Sequence, residues 1–183
     1  MIALVIVDAQ NEFSSGGKRP VPNHQDALSA ILAHVELARR QERPIAWIRH
    51  YNRPNESNAF VPDTWGSELS AGCGPNQDRC NEKVFEKDVF GAFTGTDLEP
   101  WLRAQGVSTV LIAGFYTHMC LSTSVREALV RGFDVLVDPR ATGACDLIHD
   151  SLGRQSADEV RRTALLQLAS MGAQIIDESR GQS

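Results

Sequence analysis

The 183 residues are enough for one domain with a sizeable core, and 42% hydrophobic with 22% charged residues is the balance of an ordinary soluble globular protein. A net charge of -5, with no Lys/Arg cluster, argues against a nucleic-acid partner, whose phosphates attract a basic stripe. No stretch is long and apolar enough to span a membrane, and the opening MIALVIVDAQ lacks a basic leader region, so the expected location is the cytoplasm.

In chain order, IALVIV (2–7) is a continuous apolar run, as expected of a strand buried on both faces. Residues 25–41 repeat apolar side chains at helical spacing (Ala27, Ile31, Val35, then Leu37 or Ala38), and Pro44 ends that helix. IAWIRH (45–50) is a second strand. Residues 51–80, rich in Pro, Asn, Ser and Gly, form a long connection of the kind that is usually functional or disordered. EKVFE (82–86) is a third strand. TDLEPWLRAQG is a helix with Thr96 as its expected N-cap and Gly106 as its stop. STVLIAGF (108–115) is the clearest buried strand, and the helix after it buries Leu121, Val125, Ala128 and Leu129. FDVLVDP is a fifth strand. SADEVRRTALLQLASMG opens with a capping box, Ser156 and Glu159. AQIID closes the sheet, and 178–183 reads as a frayed tail. No repeat, low-complexity tract or linker interrupts the chain, so residues 1–183 read as one domain. Strand and helix alternate throughout, which predicts an α/β fold with a parallel sheet covered on both faces.

Ligands of open α/β sheets bind beyond the carboxyl ends of the strands. Those ends deliver Asp8, Gln10 and Phe13 after the first strand, His50 after the second, Lys87 after the third, and Cys120 after the fourth. A thiolate is the reactive form of cysteine, and a helix N-terminus or a nearby cation lowers its pKa. Cys120 sits at a predicted helix start, Lys87 could supply the cation, and Asp8 could take the thiol proton and return it to a leaving amine. Backbone N–H groups at such a turn could hold an oxyanion, worth about 3–4 kcal/mol per donor. Taken singly, a Cys of this kind is more often a small core residue, an Asp at a strand end a turn residue, and a loop Lys a solvated one. Their conjunction carries the hypothesis. The other cysteines are bland: Cys73 and Cys80 lack the spacing and partners of a zinc site, and Cys145 bears on function only as a resolving thiol, if the fold brings it near Cys120.

These residues lie in segments that resemble the isochorismatase-like cysteine hydrolases, a superfamily that includes nicotinamidases and N-carbamoylsarcosine amidohydrolases. The likeness runs through ALVIVDAQNEF, FVPDTWGSEL, KDVFGAFTGTDLEPWLRAQGVSTVLIAGFYTHMCLSTSVREAL and GFDVLVDPRATGA. It implies a three-layer α-β-α fold with a doubly wound, six-stranded parallel sheet. It also implies a catalytic set of Asp8 (base), Lys87 (electrostatic partner) and Cys120 (nucleophile), a cis peptide at Phe115–Tyr116, and an oxyanion hole from the N–H groups of Tyr116 and Cys120. The expected activity is hydrolysis of a C–N amide or ureido-type bond of a small molecule through a thioester. Ester or imine hydrolysis at the same residues, a non-catalytic binding protein, and a redox-responsive thiol are the alternatives. No cofactor is implied, and a homo-oligomer, dimer or larger, is.

Two departures matter. Nicotinamidases bind a metal through an Asp-x-His pair after the second strand and a further His; here WIRHYNRPNESNAF offers His50 alone, so no metal is expected and nicotinamide is disfavoured as substrate. Many members carry Ser where this chain has Gly91, a change that either enlarges the site or loosens the loop. The remaining candidates for substrate contact are Gln10, Phe13, His50 and His118, with Phe60, Trp65 and Tyr116 as an apolar wall. The 51–80 loop is expected to cap the site.

Overall fold

The computed structural model describes residues 1–176. Its elements are β1 (Ile2–Val7), α1 (His24–Arg40), β2 (Ile45–His50), β3 (Glu82–Lys87), α2 (Leu98–Ala104), β4 (Thr109–Phe115), α3 (Ser122–Val130), β5 (Asp134–Val137), the short β6 (Thr142–Gly143), the hairpin pair β7 (Leu147–His149) and β8 (Gly153–Gln155), α4 (Ala157–Ser170) and β9 (Gln174–Ile175). The main sheet runs β3-β2-β1-β4-β5-β9, all parallel, with β6 adding a two-residue pairing to β4. The expected six parallel strands are therefore present. Asp177 and the tail 178–183 lie outside the described residues.

Successive side chains of a strand point to opposite faces, and β1 shows the result. Ala3, Val5 and Val7 pack with Leu98 and Leu102 of α2, Leu121, Val125 and Ala128 at α3, and Leu165 and Leu168 of α4. Leu4 and Ile6 pack with Ala27, Ile31, Val35 and Ala38 of α1, together with Trp47 and Phe115. Burial on both faces is why these strands are apolar without alternation. The chain leaves β1 toward β2 and β3, then returns to lay β4 on the other side of β1. This makes the β1/β4 boundary the topological switch point of the sheet, and it opens a crevice at the strands' carboxyl ends.

Several local expectations change. Helix α2 begins at Leu98, with Asp97 at the N-cap position; Thr96 Oγ1 accepts the Leu98 N–H at 3.3 Å and donates to Ala92 O at 2.6 Å, so it braces the turn before the helix. Leu129 is only partly buried. The capping box of Ser156 and Glu159 forms as expected. The turn from β4 into α3 is one π-helical turn, Thr117–Leu121, in which the Leu121 N–H reaches Tyr116 O. Between β5 and α4, where no strand was expected, the β7–β8 hairpin projects with all six residues exposed.

Candidate active site

Parallel register brings the charged residues together. Val7 pairs with Ile48 on one side and Gly114 on the other, and His50 pairs with Lys87, so Asp8, His50 and Lys87 emerge at one level of the sheet. Asp8 adopts the left-handed conformation at φ 54°, which turns its carboxylate out of the strand. Asp tolerates that region better than most residues, and strain of this kind persists where the surroundings over-determine it. Gly114 makes the approach possible: at φ 117°, a Cβ there would lie 1.9 Å from Val7 O.

Asp8 and Lys87 are 1% and 5% exposed. Lys87 Nζ donates to Asp8 Oδ2 at 2.8 Å, Val89 O at 3.1 Å and His50 Nδ1 at 3.3 Å. The neighbouring hydrogen bonds fix the His50 tautomer. Asn52 Nδ2 donates to Ala59 O, so Asn52 Oδ1 is the atom facing the ring and His50 Nε2 donates to it at 2.8 Å. His50 Nδ1 is then a lone pair accepting from Lys87. Burial lowers the His50 pKa and the neighbouring ammonium lowers it further, so the ring is neutral. Burial works against the Lys87 charge, yet the Asp8 carboxylate beside it helps to raise its pKa overall. The second Asp8 oxygen, Oδ1, is buried with no hydrogen-bond partner.

The Phe115–Tyr116 peptide is cis. Below it, Thr142 Oγ1 donates to Gly114 O at 2.7 Å, which leaves Thr117 Oγ1 to donate to Thr142 Oγ1 at 2.8 Å. Ser124 Oγ donates to Cys120 O at 2.6 Å and accepts the Ala92 N–H at 3.0 Å, tying the Cys120 turn to the loop after β3. Cys120 is 7% exposed. Against the expectation of a lowered thiol pKa, burial raises it, the Asp8 charge raises it further, and Lys87 only partly compensates.

A cavity of about 500 Å³ opens over these groups. Of the residues expected at the site, Asp8, Phe13, His50, Phe60, Tyr116, His118 and Cys120 line it. The aromatic wall is continuous: Phe13 contacts the Phe60, Phe115 and Tyr116 rings at 4.8–5.3 Å between centroids, and His118 stacks on Tyr116 at 5.2 Å. His118 Nδ1 is buried without a partner, and burial lowers its pKa.

Two candidates are corrected. Gln10 is fully buried and its amide is saturated by backbone, with Nε2 donating to His50 O and Ser67 O and Oε1 accepting the His50 N–H, so it braces β2 against the 51–80 loop rather than lining the cavity. Trp65 is 54% exposed and lies beside Gly16, away from the cavity. Gly91 neither enlarges the cavity nor lies in its wall. A Cβ there would meet the Glu127 carboxylate at 2.2 Å, and that carboxylate accepts the Phe93 N–H and the Thr94 hydroxyl.

The sequence reading missed Glu12, which is 2% exposed. Its carboxylate accepts the Phe60 N–H at 3.1 Å and the Lys18 N–H at 2.7 Å, joining the loop after β1 to the 51–80 loop. Its only trace in the sequence is Gly66, where a Cβ would strike the Glu12 carboxylate at 2.4 Å. Arg19, Cys145 and the hairpin residues Leu147 and Ile148 also line the cavity and were not anticipated. Among the described residues, no group of three or more His, Cys, Asp or Glu is placed to hold a metal. His50 offers no free lone pair, so these residues do not fit the metal of the nicotinamidases.

A doubly wound sheet carrying a buried Asp–Lys pair beside a cysteine at its switch point is the setting of an α/β enzyme-like site. The sequence matches the Isochorismatase domain family over residues 2–179, and the chain belongs to that family. The secreted isochorismatase effector Isc1 of Verticillium dahliae is 31% identical over 79% of this chain and 73% of its own. The nicotinamidase/pyrazinamidase of Mycobacterium tuberculosis is 29% identical over 92% and 98%. The crystal structure of a putative isochorismatase from Burkholderia xenovorans superposes with a TM-score of 0.86 at 30% identity, covering 98% of this chain and 85% of that one.

Proposed function

We propose that the protein is a metal-independent cysteine hydrolase that cleaves a C–N amide or ureido-type bond of a small molecule through a thioester. The observation that carries this reading is the unpartnered, buried Asp8 Oδ1 beside the Cys120 thiol, with Asp8 Oδ2 held by Lys87. In this reading Cys120 Sγ attacks the substrate carbonyl carbon and its proton passes to Asp8 Oδ1. Lys87 balances the negative charge that the sulfur and carboxylate share. The N–H groups of Tyr116 and Cys120 hold the oxyanion.

Collapse of the tetrahedral intermediate breaks the C–N bond, and Asp8 returns the proton to the departing nitrogen. Water then attacks the thioester. Asp8 takes its proton, the carboxylic acid leaves and the thiol is restored. The name of the Mycobacterium tuberculosis relative, a nicotinamidase, supports amide chemistry, while the engagement of both His50 ring nitrogens, by Asn52 and Lys87, supports a different substrate.

The test is ammonia or amine release across a panel of small amides, ureido acids and carbamoyl compounds, with Cys120→Ser beside wild type and with a chelator added. Turnover that is lost in the variant and indifferent to chelator is expected. Turnover that survives Cys120→Ser, or that chelator abolishes, overturns the proposal.

A further inference from the structure

The cavity wall holds a cation that the surrounding residues leave without an acid. Arg19 lines the cavity, and among the described residues it makes no salt bridge; its one side-chain hydrogen bond is a long one, 3.5 Å, to Ser57 Oγ. Of the two rim acids, Asp146 is held by Arg154 and by the Ala157 N–H, and Glu56 accepts the Arg53 N–H through Oε2 and makes no salt bridge to Arg19. His50 and His118 have pKa values lowered by burial, and Lys87 is paired with Asp8.

The base of the Arg19 side chain is also fixed. The Arg19 N–H donates to Glu12 O at 2.9 Å, Arg19 O accepts the Tyr116 hydroxyl at 2.7 Å, and Pro20 follows. Tyr116 opens the turn that carries Cys120, so one hydrogen bond ties the guanidinium's backbone to the chemistry. The Phe13, Phe60 and Tyr116 rings line the same cavity, and so does His118. A ligand that suits these walls is apolar in the middle, has a carbonyl at the Cys120 end, and is anionic at the other. A guanidinium presents a planar pair of donors that matches a carboxylate.

We propose that the cavity takes a small amide bearing a carboxylate remote from the scissile bond, with Arg19 as the carboxylate's partner; this rests on the hydrolytic reading above. Arg19 is then a specificity-determining residue, and it acts before any bond is broken.

The test separates binding from turnover. Calorimetry on Cys120→Ser protein compares straight-chain ω-amido carboxylates of increasing length with the matched uncharged alkyl amides. At least one carboxylate is expected to bind about tenfold more tightly than its uncharged partner, less so in high salt, because the pair is partly exposed. Adding Arg19→Gln removes that preference, Arg19→Lys keeps part of it, and neither changes thermal stability, since Arg19 is an exposed residue. Equal binding of charged and uncharged partners, no binding by any member of the series, or a preference that survives Arg19→Gln overturns the proposal. Carboxylate preference without wild-type turnover sinks the hydrolytic reading and leaves the anion subsite standing. Turnover without charge preference does the reverse.

Discussion

The cavity has two walls made on different principles. The wall that carries Asp8, Lys87 and Cys120 consists of strand ends, and the parallel register of β1, β2, β3 and β4 sets where each side chain emerges. The wall that carries Arg19, Phe60 and Asn52 has almost no regular structure, only short 3-10 turns such as Asn11–Phe13 and Trp65–Ser67. It is held by two buried polar side chains, Gln10 and Glu12, which bond to backbone groups of the 51–80 loop. The first wall cannot shift without breaking the sheet. The second can change its outward residues while its two braces stay in place. An enzyme of this construction separates its chemistry from its choice of substrate, since loops on a rigid scaffold are where specificity is varied.

The comparison can be broken most sharply at the first wall. Cys120→Ser is expected to lower turnover by at least about 10⁴-fold with little loss of ligand affinity, read by amine release and by calorimetry. Lys87→Met leaves the Asp8 carboxylate buried without its cation and should cost about 3–5 kcal/mol in denaturant unfolding. Asp8→Asn combined with Lys87→Met should recover much of that loss, because the pair is removed together. At the second wall, Glu12→Ala strands the buried Phe60 N–H and removes the acceptor of the part-buried Lys18 N–H, and is expected to cost about 1–3 kcal/mol. It should raise KM more than it lowers kcat; the opposite split would mean that the loops serve the chemistry directly.

Gly91→Ser lies behind the first wall, against Glu127, and should cost about 1 kcal/mol with KM unchanged. The smallest expected effect is that of pH. Burial lowers the pKa of His24, His50 and His118 below 6.5, so the unfolded chain binds protons that the fold resists. Their contribution is fully present above the unfolded pKa and is lost as pH falls through the lowered folded values. Urea titrations at descending pH should show a loss of under about 1 kcal/mol per pH unit from these groups, allowing for their partial exposure.

The first wall was also the legible one. Asp8 and Cys120 follow apolar runs that read as buried strands, and Lys87 follows the short strand EKVFE, so their shared end of the sheet comes from chain order once the strands are parallel. Parallel strands and helices on both faces follow from the same runs. The second wall was read poorly because irregular backbone has no period to give a side chain's direction. Gln10 and Phe13 lie three residues apart, yet one is used up by backbone and the other faces the cavity. Nothing in composition distinguishes the buried Glu12 from a surface acid, and Trp65 is a large apolar residue that the loop leaves in solvent. The π-helical turn at Cys120 is braced by a tertiary bond, the Thr117–Thr142 pair, between residues far apart in sequence, and the β7–β8 hairpin is exposed at all six strand residues, so no buried apolar run marks it.

The burial of Cys120 has a consequence for how the protein ages. Lys87, the cation beside the sulfur, is already shared among Asp8, Val89 and His50. Cys120 is nearly hidden, and burial and the Asp8 charge hold its pKa up. Peroxides and alkylating reagents attack thiolates that they can reach. The protein should therefore tolerate oxidants that inactivate enzymes with an exposed, ionised cysteine, and its durability comes from the same burial that shelters the sulfur.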